Sequence, residues 1–367
     1  MDYLTARRQT AVRDLKAAGH DAFLVTSPTN VRYLSGFGGE AAYLALTPKK
    51  TVLVTDARFA DQAAEECPDI EVVIRPHTQT LDQAAAATLG RLKAKVIGLE
   101  GSTTLGTAES LAGALPAATF TAVHGRVETL RAVKDAGELK RIRHAVAVAE
   151  RAFRSFVPHA RGADSEKDLH DAMESFLRRA GAVSGSFPPI TAVGERAARP
   201  HAVPDPGVRL ASAGLLLIDW GADCGYVSDL TRTVKTPFGP ARKPKGSPDF
   251  DRVYALVCAA QDAAAAAVRA GVAAKDVDAA ARRVFAAAGV EGKFTHGLGH
   301  GIGLDVHELP RVRADSTCTL EAGNVITLEP ALYFPGWGGV RIEDDYLVTA
   351  DGCERLSTLP RDPELLL

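Results

Sequence analysis

The chain has few cysteines, few aromatic residues, no excess charge of either sign and no long apolar run. Each shortage removes a class of function. The five cysteines (Cys67, Cys224, Cys258, Cys318 and Cys353) are odd in number, scattered and nowhere spaced C-x-x-C. That pattern argues against a disulfide framework or a thiolate zinc site and fits a cytoplasmic protein. Cys224 is expected to be a passive hairpin thiol. Lys and Arg number 43 against 45 Asp and Glu, a formal net charge of −2, so neither a basic field for nucleic acid nor a basic cluster for a membrane surface is present. No stretch approaches the ~20 apolar residues that a membrane span needs. Residues 1–23 carry charges throughout and have no apolar h-region, so no signal peptide is expected.

At 367 residues, with 46% hydrophobic and 24% charged residues, the chain is long enough for two well-packed domains. We place them at 1–130 and 131–367, in an α/β (α+β) fold. The first part alternates helix and strand: a helix over 3–18, strands at 22–27, 43–47, 51–56, 71–75, 95–100 and 120–125, and a turn-rich stretch at 27–40. This predicts a small domain around a largely parallel or mixed sheet. It shows no triad-like grouping and no phosphate loop, because GFGG (36–39) lacks the strand and helix that would flank a nucleotide-binding turn.

The second part repeats one order of elements. A helix over 136–156 precedes another within 161–181, where Ser165 and Asp168 form a capping pair and Gly181 a stop; a hairpin spans 214–235. Helices at 250–269 and 269–289 then precede a hairpin at 323–349. Helix–helix–hairpin twice predicts two half-domains about a pseudo-two-fold axis.

Each hairpin contains two carboxylates that interrupt or end an apolar strand: Asp219 and Asp229 in the first, Glu329 and Glu343 in the second. His300 lies in the glycine-rich segment THGLGHGIGLDVHELP (295–310). One strand carboxylate taken alone is more often a solvated edge residue or an ion-pair partner. Four of them with a histidine imply cations, since a buried carboxylate is costly without one. Alternation puts Glu343 and Arg341 on one strand face, with Val340 and Ile342 on the other, and lets Glu329 lie opposite Glu343. Two divalent ions would balance four carboxylates, and oxygen and imidazole ligands suit Mn, Co, Zn or Fe. Two such ions ~3.5–4 Å apart lower the pKa of a shared water. The implied chemistry is metal-assisted hydrolysis, most simply of an amide.

These segments resemble those of the pita-bread-fold metallopeptidases (family M24), which include methionine aminopeptidase, aminopeptidase P and prolidase. DWGADCGYVSDLTRT, HGLGHGIGLDVHELP, ITLEPALY and GVRIEDDYLVT match its ligand segments in order, and GERAARPH (194–201) is similar to its substrate-pocket segment. RYLSGF and VTDARF resemble the creatinase-like N-terminal domain of prolidase and aminopeptidase P. The resemblance implies a pita-bread domain after that N-terminal domain. It implies that Asp219 holds one metal through both oxygens, that Asp229 and Glu343 bridge, and that His300 and Glu329 complete the second metal. Glu329 would also shuttle a proton. His201, His296 and His307 would steady the oxyanion and the scissile amide, and Arg341 would orient substrate or ligands. The implied activity is Xaa-Pro dipeptide hydrolysis by a homodimer, with aminopeptidase P action on longer peptides as the alternative; metal-free creatinase chemistry and a non-catalytic binding role sit poorly with a complete ligand set.

Three departures stand out. Asp219 and Asp229 are one residue closer than the family pattern, which calls for a shorter turn or a lost bulge. Ala331 replaces a glycine and is expected to narrow the pocket floor. Arg196 stands where asparagine is common, near the expected substrate entrance.

Overall fold

A computed structural model describes residues 3–238 and 249–364. The chain divides into two compact units, Met1–Arg131 and Ala132–Leu367.

The first unit is built on a six-stranded mixed sheet. In chain order its strands are Ala22–Val25, Ala42–Leu46, Thr51–Asp56, Glu71–Arg75, Val96–Glu100 and Thr119–Val123, arranged in space 4-3-2-1-5-6. The two pairings that flank the second strand are antiparallel and the other three parallel. The stretch read as turn-rich contains a helix, Pro28–Ser35, with proline in its first turn and Gly36 closing it at φ 81°. The opening helix ends at Val12, short of 18, and Asp14 turns the chain at φ 64°.

In the second unit the first helix pair is Ala136–Phe156 and Glu166–Arg179, and both helices begin with a capping box, Asp135 with Glu138 and Ser165 with Asp168. The second pair is Phe250–Ala267 and Ala274–Ala287. The last helix starts later than the expected 269 because its approach is drawn into a backbone ladder: Gly271 donates to Leu320, Leu320 to Val272, and Ala274 to Cys318.

The first hairpin, Leu215–Trp220 with Leu230–Lys235, is joined by Ile190–Val193 in a three-stranded antiparallel sheet. Its central strand is buried on both faces. Leu216, Ile218 and Trp220 pack on the first helix pair, with Trp220 stacked on Phe153 at 4.5 Å and donating to the Ala149 carbonyl. Leu215 and Leu217 face the core of the second pair, so alternation sends Asp219 to that side as well. The turn that accommodates the short Asp219–Asp229 spacing is tight: Gly225 adopts φ 87°, and its N–H meets Asp223 Oδ1 at 2.7 Å.

The second hairpin is broken in the middle. Val325–Leu328 pairs with Asp344–Val348, and Ala331–Phe334 with Gly338–Arg341. Leu328 faces Asp344 and Ala331 faces Arg341, so the same register carried across the break sets Glu329 opposite Glu343.

Candidate metal centre and substrate cavity

The two hairpins meet at Thr231 and Glu343, whose backbones exchange hydrogen bonds in an isolated antiparallel bridge. Thr231 lies opposite Asp219 in the first hairpin. Asp229, two residues before Thr231, shares its face and is thus the diagonal neighbour of Asp219, not its direct partner across the turn. Four carboxylates from two hairpins therefore converge at one seam.

His300 reaches the seam from Gly299–Gly301, a strand that pairs with both Glu308–Val312 and Val325–Leu328. The flanking glycines permit this approach. A Cβ on Gly299 would lie 2.0 Å from the Thr327 carbonyl, and one on Gly301 would lie 2.1 Å from that of Leu309. His300 Nδ1 donates to the Gly301 carbonyl at 3.1 Å, which fixes the tautomer. Nε2 is left as an acceptor facing Asp229 and Glu329, each at 3.7 Å. Burial, with His307 nearby, pulls the His300 pKa down to about 4, so the ring is neutral and ready to ligate.

The donor set fits divalent cations. Ligand atoms of Asp229, His300 and Glu343 lie within 4.8 Å of one another. Asp219 Oδ1 and Asp229 Oδ1 are buried without a hydrogen-bond partner among the described residues. Burial raises the pKa of Asp229 and Glu329 well above the ordinary range, and repulsion from Glu343 adds to it. Glu343 is pushed up to about 8 by burial and by Asp219. Such a cluster cannot ionise fully without compensating positive charge. A second group, His170, Asp171 and Glu174, is equally close, but it is more exposed and Asp171 is already paired with Lys167.

Arg341 supplies part of that charge. Its guanidinium pairs with Asp219 Oδ2 and donates to Thr231 Oγ1 at 3.1 Å and to Tyr333 Oη at 2.8 Å. Asp219 thus has one oxygen on Arg341 and one orphaned, where the resemblance implied that both would hold a metal. Thr231 Oγ1 also donates to Glu343 Oε2 at 2.7 Å. His296 departs from expectation too. Its Nδ1 donates to the Gly297 carbonyl at 2.8 Å, and its Nε2 lies 3.0 Å from Tyr333 Oη. Since Tyr333 already accepts from Arg341, its own proton goes to His296, and both ring nitrogens are committed. His307 stands edge-on to His300, with centroids 4.4 Å apart.

The four carboxylates, His296, His300, His307 and Arg341 line a cavity of about 580 Å³ together with His201, Arg311, Arg313 and an apolar wall of Phe187, Pro188, Pro189, Ile190 and Val203. Thr231 and Tyr333 escaped the sequence reading, although alternation marks both: Thr231 is two residues from Asp229, and Tyr333 four from Glu329. Arg311 carries no such local mark, because only the strand register sets it opposite His300. Ala331 does not narrow the cavity; it is fully buried in the core of the second helix pair. Arg196 does not line the cavity either. It turns away to the buried carboxylate of Glu166 at 2.7 Å.

Residues 140–350 match the model of metallopeptidase family M24, and residues 7–133 that of the creatinase/prolidase N-terminal domain. The chain belongs to metallopeptidase family M24. Among its M24 relatives, a Xaa-Pro dipeptidase of Pyrococcus horikoshii is 32% identical over 366 residues, covering 99% of each chain. A solved Xaa-Pro dipeptidase of Bacillus anthracis superposes with a TM-score of 0.91 at 32% identity, covering 98% of this chain and 99% of that one. A solved X-Pro aminopeptidase of Thermotoga maritima gives 0.84 at 33% identity, covering 95% and 99%. The pita-bread architecture and the creatinase-like N-terminal domain inferred from the sequence are those of this family.

Proposed function

We propose that the chain is a Xaa-Pro dipeptidase that hydrolyses the amide bond before proline with two divalent cations, Mn, Co or Zn. The observation that carries this reading is the buried cluster of four carboxylates and a neutral histidine opening into a cavity that also holds three arginines and a proline-rich wall. Asp219, Asp229 and Glu343 would hold one ion. Asp229, Glu343, His300 and Glu329 would hold the other, with Asp229 and Glu343 shared. When bound, the cations supply Lewis acidity toward the scissile carbonyl and lower the pKa of water.

The side chains do the remaining work. Glu329 takes a proton from the attacking water and returns it to the departing proline nitrogen. His201 and His307 offer imidazole N–H groups to the oxyanion that develops on the former carbonyl. Arg341 fixes Asp219 directly and His296 through Tyr333. A Xaa-Pro amide has no N–H to recognise, so shape must stand in for it, and Phe187, Pro188 and Pro189 offer a flat apolar face to the pyrrolidine ring. Arg311 suits a carboxylate near the scissile bond, which a dipeptide presents and a longer peptide carries farther away, whereas Arg313 is already paired with Asp315.

The same reading places the protein in the cytoplasm as a homodimer, which light scattering of the purified protein checks. Its five cysteines are free, and among the described residues no helix is long and apolar enough to cross a membrane. The test of function is hydrolysis of Ala-Pro and Ala-Pro-Ala by chelator-stripped enzyme before and after restoring Mn, Co or Zn. Cleavage of Ala-Pro alone is expected, whereas preference for the tripeptide would make it an aminopeptidase P. Glu343→Ala should reduce kcat by at least ~1,000-fold and lower the bound metal; near-normal turnover would sink the assignment.

A further inference from the structure

The cavity wall at 200–204 contains no regular secondary structure, yet it presents His201, Ala202, Val203 and Pro204 to the cavity. Val203 is 78% exposed, so packing on that side chain does little to hold the wall. His201 makes no side-chain hydrogen bond among the described residues, and its position therefore follows from the backbone on either side of it. Two carbonyls flank it, and each is held by an arginine. Pro200 O accepts from Arg341 Nη1 at 3.4 Å, and Val203 O from Arg196 Nη2 at 2.5 Å.

Arg196 is itself fixed. Its Nε donates to Glu166 Oε2 at 2.7 Å, and Glu166 is fully buried at the start of its helix. The same carboxylate accepts the N–H of Val193 at 2.8 Å, seven residues ahead of Pro200, and of Asp205 at 3.0 Å, directly after the segment. One buried carboxylate and one guanidinium thus clamp both ends of the stretch that carries His201. A planar guanidinium carries its donors on separate nitrogens in a fixed fork, so it reaches a carboxylate on one side and a carbonyl on the other, a span that a single ammonium covers less well.

We propose that Arg196, locked onto Glu166, is a positioning residue that latches the 200–204 wall and thereby holds His201 on the substrate. The proposal rests on the peptidase reading and goes further by giving a substrate-positioning role to a residue outside the cavity. A loop released at one anchor samples more conformations, and a misplaced contact group weakens substrate binding before it alters the chemistry.

The experiment compares Arg196→Ala, Arg196→Lys, His201→Ala and the Arg196→Ala/His201→Ala double variant of the metal-loaded protein. For Arg196→Ala we expect KM for Ala-Pro to rise roughly tenfold, kcat to stay within about threefold, and bound metal to match the wild type. Arg196→Lys should recover part of the loss. In the His201→Ala background the arginine change should add less than about twofold, and amide exchange over 199–205 should quicken in Arg196→Ala alone. Additive losses in the double variant, or unchanged exchange over 199–205, would overturn the proposal. Should the wild type cleave no Xaa-Pro peptide, the peptidase reading falls by itself. Exchange over 199–205 and the rate of His201 carbethoxylation then decide the latch: both faster in Arg196→Ala supports it, both unchanged refutes it.

Discussion

Tyr333 Oη accepts a hydrogen bond from Arg341 Nη1 at 2.8 Å and donates one to His296 Nε2 at 3.0 Å. The phenol is almost fully buried, and burial raises its pKa to about 12, so it remains a donor throughout the working range. Removing the hydroxyl leaves a buried guanidinium N–H and a buried imidazole nitrogen unpaired, which costs more than the bond itself. Tyr333→Phe should therefore lower kcat by roughly 10- to 100-fold while metal content and fold persist; steady-state kinetics with elemental analysis check this. A rate within twofold of wild type would show that Arg341 and His296 need no such link. The four carboxylates gathered at the seam were legible in the sequence because a carboxylate in an apolar strand advertises its cost, and His300 because it sits in a glycine-rich segment. Tyr333 was not singled out, since an aromatic residue on a strand is ordinary until its partners are known.

At the scale of elements, the seam between hairpins depends on Arg232. Its guanidinium is fully buried, pairs with the equally buried Asp344 at 2.7 Å, and donates to the carbonyls of Thr231, Glu343, Leu359 and Pro360. It ties both hairpins to the C-terminal segment. Replacing Arg232 by Met leaves the buried Asp344 with Gln261, Ser357 and an Arg355 guanidinium no nearer than 3.9 Å, so a loss of ~3 kcal/mol is expected from urea unfolding, with part recovered when Asp344 is also made apolar. Capping pairs and glycine stops located the helices of the second unit because those signals act within one turn. Elsewhere the chain obeyed distant partners. The helix expected from 269 yields its start to Leu320 and Cys318, and the hairpin at 323–349 breaks where Glu343 exchanges bonds with Thr231 of the first hairpin and the Glu329 N–H donates to the Leu298 carbonyl. The short helix Pro28–Ser35 had its proline and closing glycine in view, but few residues in which to show a period.

For the molecule as a whole, the cluster links pH to metal. Glu343 titrates near 8 in the folded chain against an ordinary 4.5. The folded state therefore holds a proton that the unfolded state releases. The stability this contributes is complete below about 4.5 and is lost as pH rises through about 8. Chelated protein should show a Tm that falls by a few degrees between pH 7 and pH 8.5, above the range in which the buried neutral His296 and His300 act in the opposite sense. Restoring Mn or Zn should reverse the fall, with the largest gain at the higher pH. Calorimetry on stripped and reloaded protein measures both, and a Tm of the stripped protein that rises over that interval would contradict the raised pKa.

Trp220 follows Asp219 directly in the chain, and its indole lies flat on Phe153 with its N–H on the Ala149 carbonyl. It is one of only two tryptophans, and the other, Trp337, stands beside Phe334 in the second hairpin. Each half-domain therefore carries one tryptophan, and the one in the first half is a single peptide bond from Asp219, a carboxylate we propose as a ligand. Loading of the centre can be watched as a change in emission, without substrate and without a label, and a Trp337→Phe variant would assign that light to the Asp219 side.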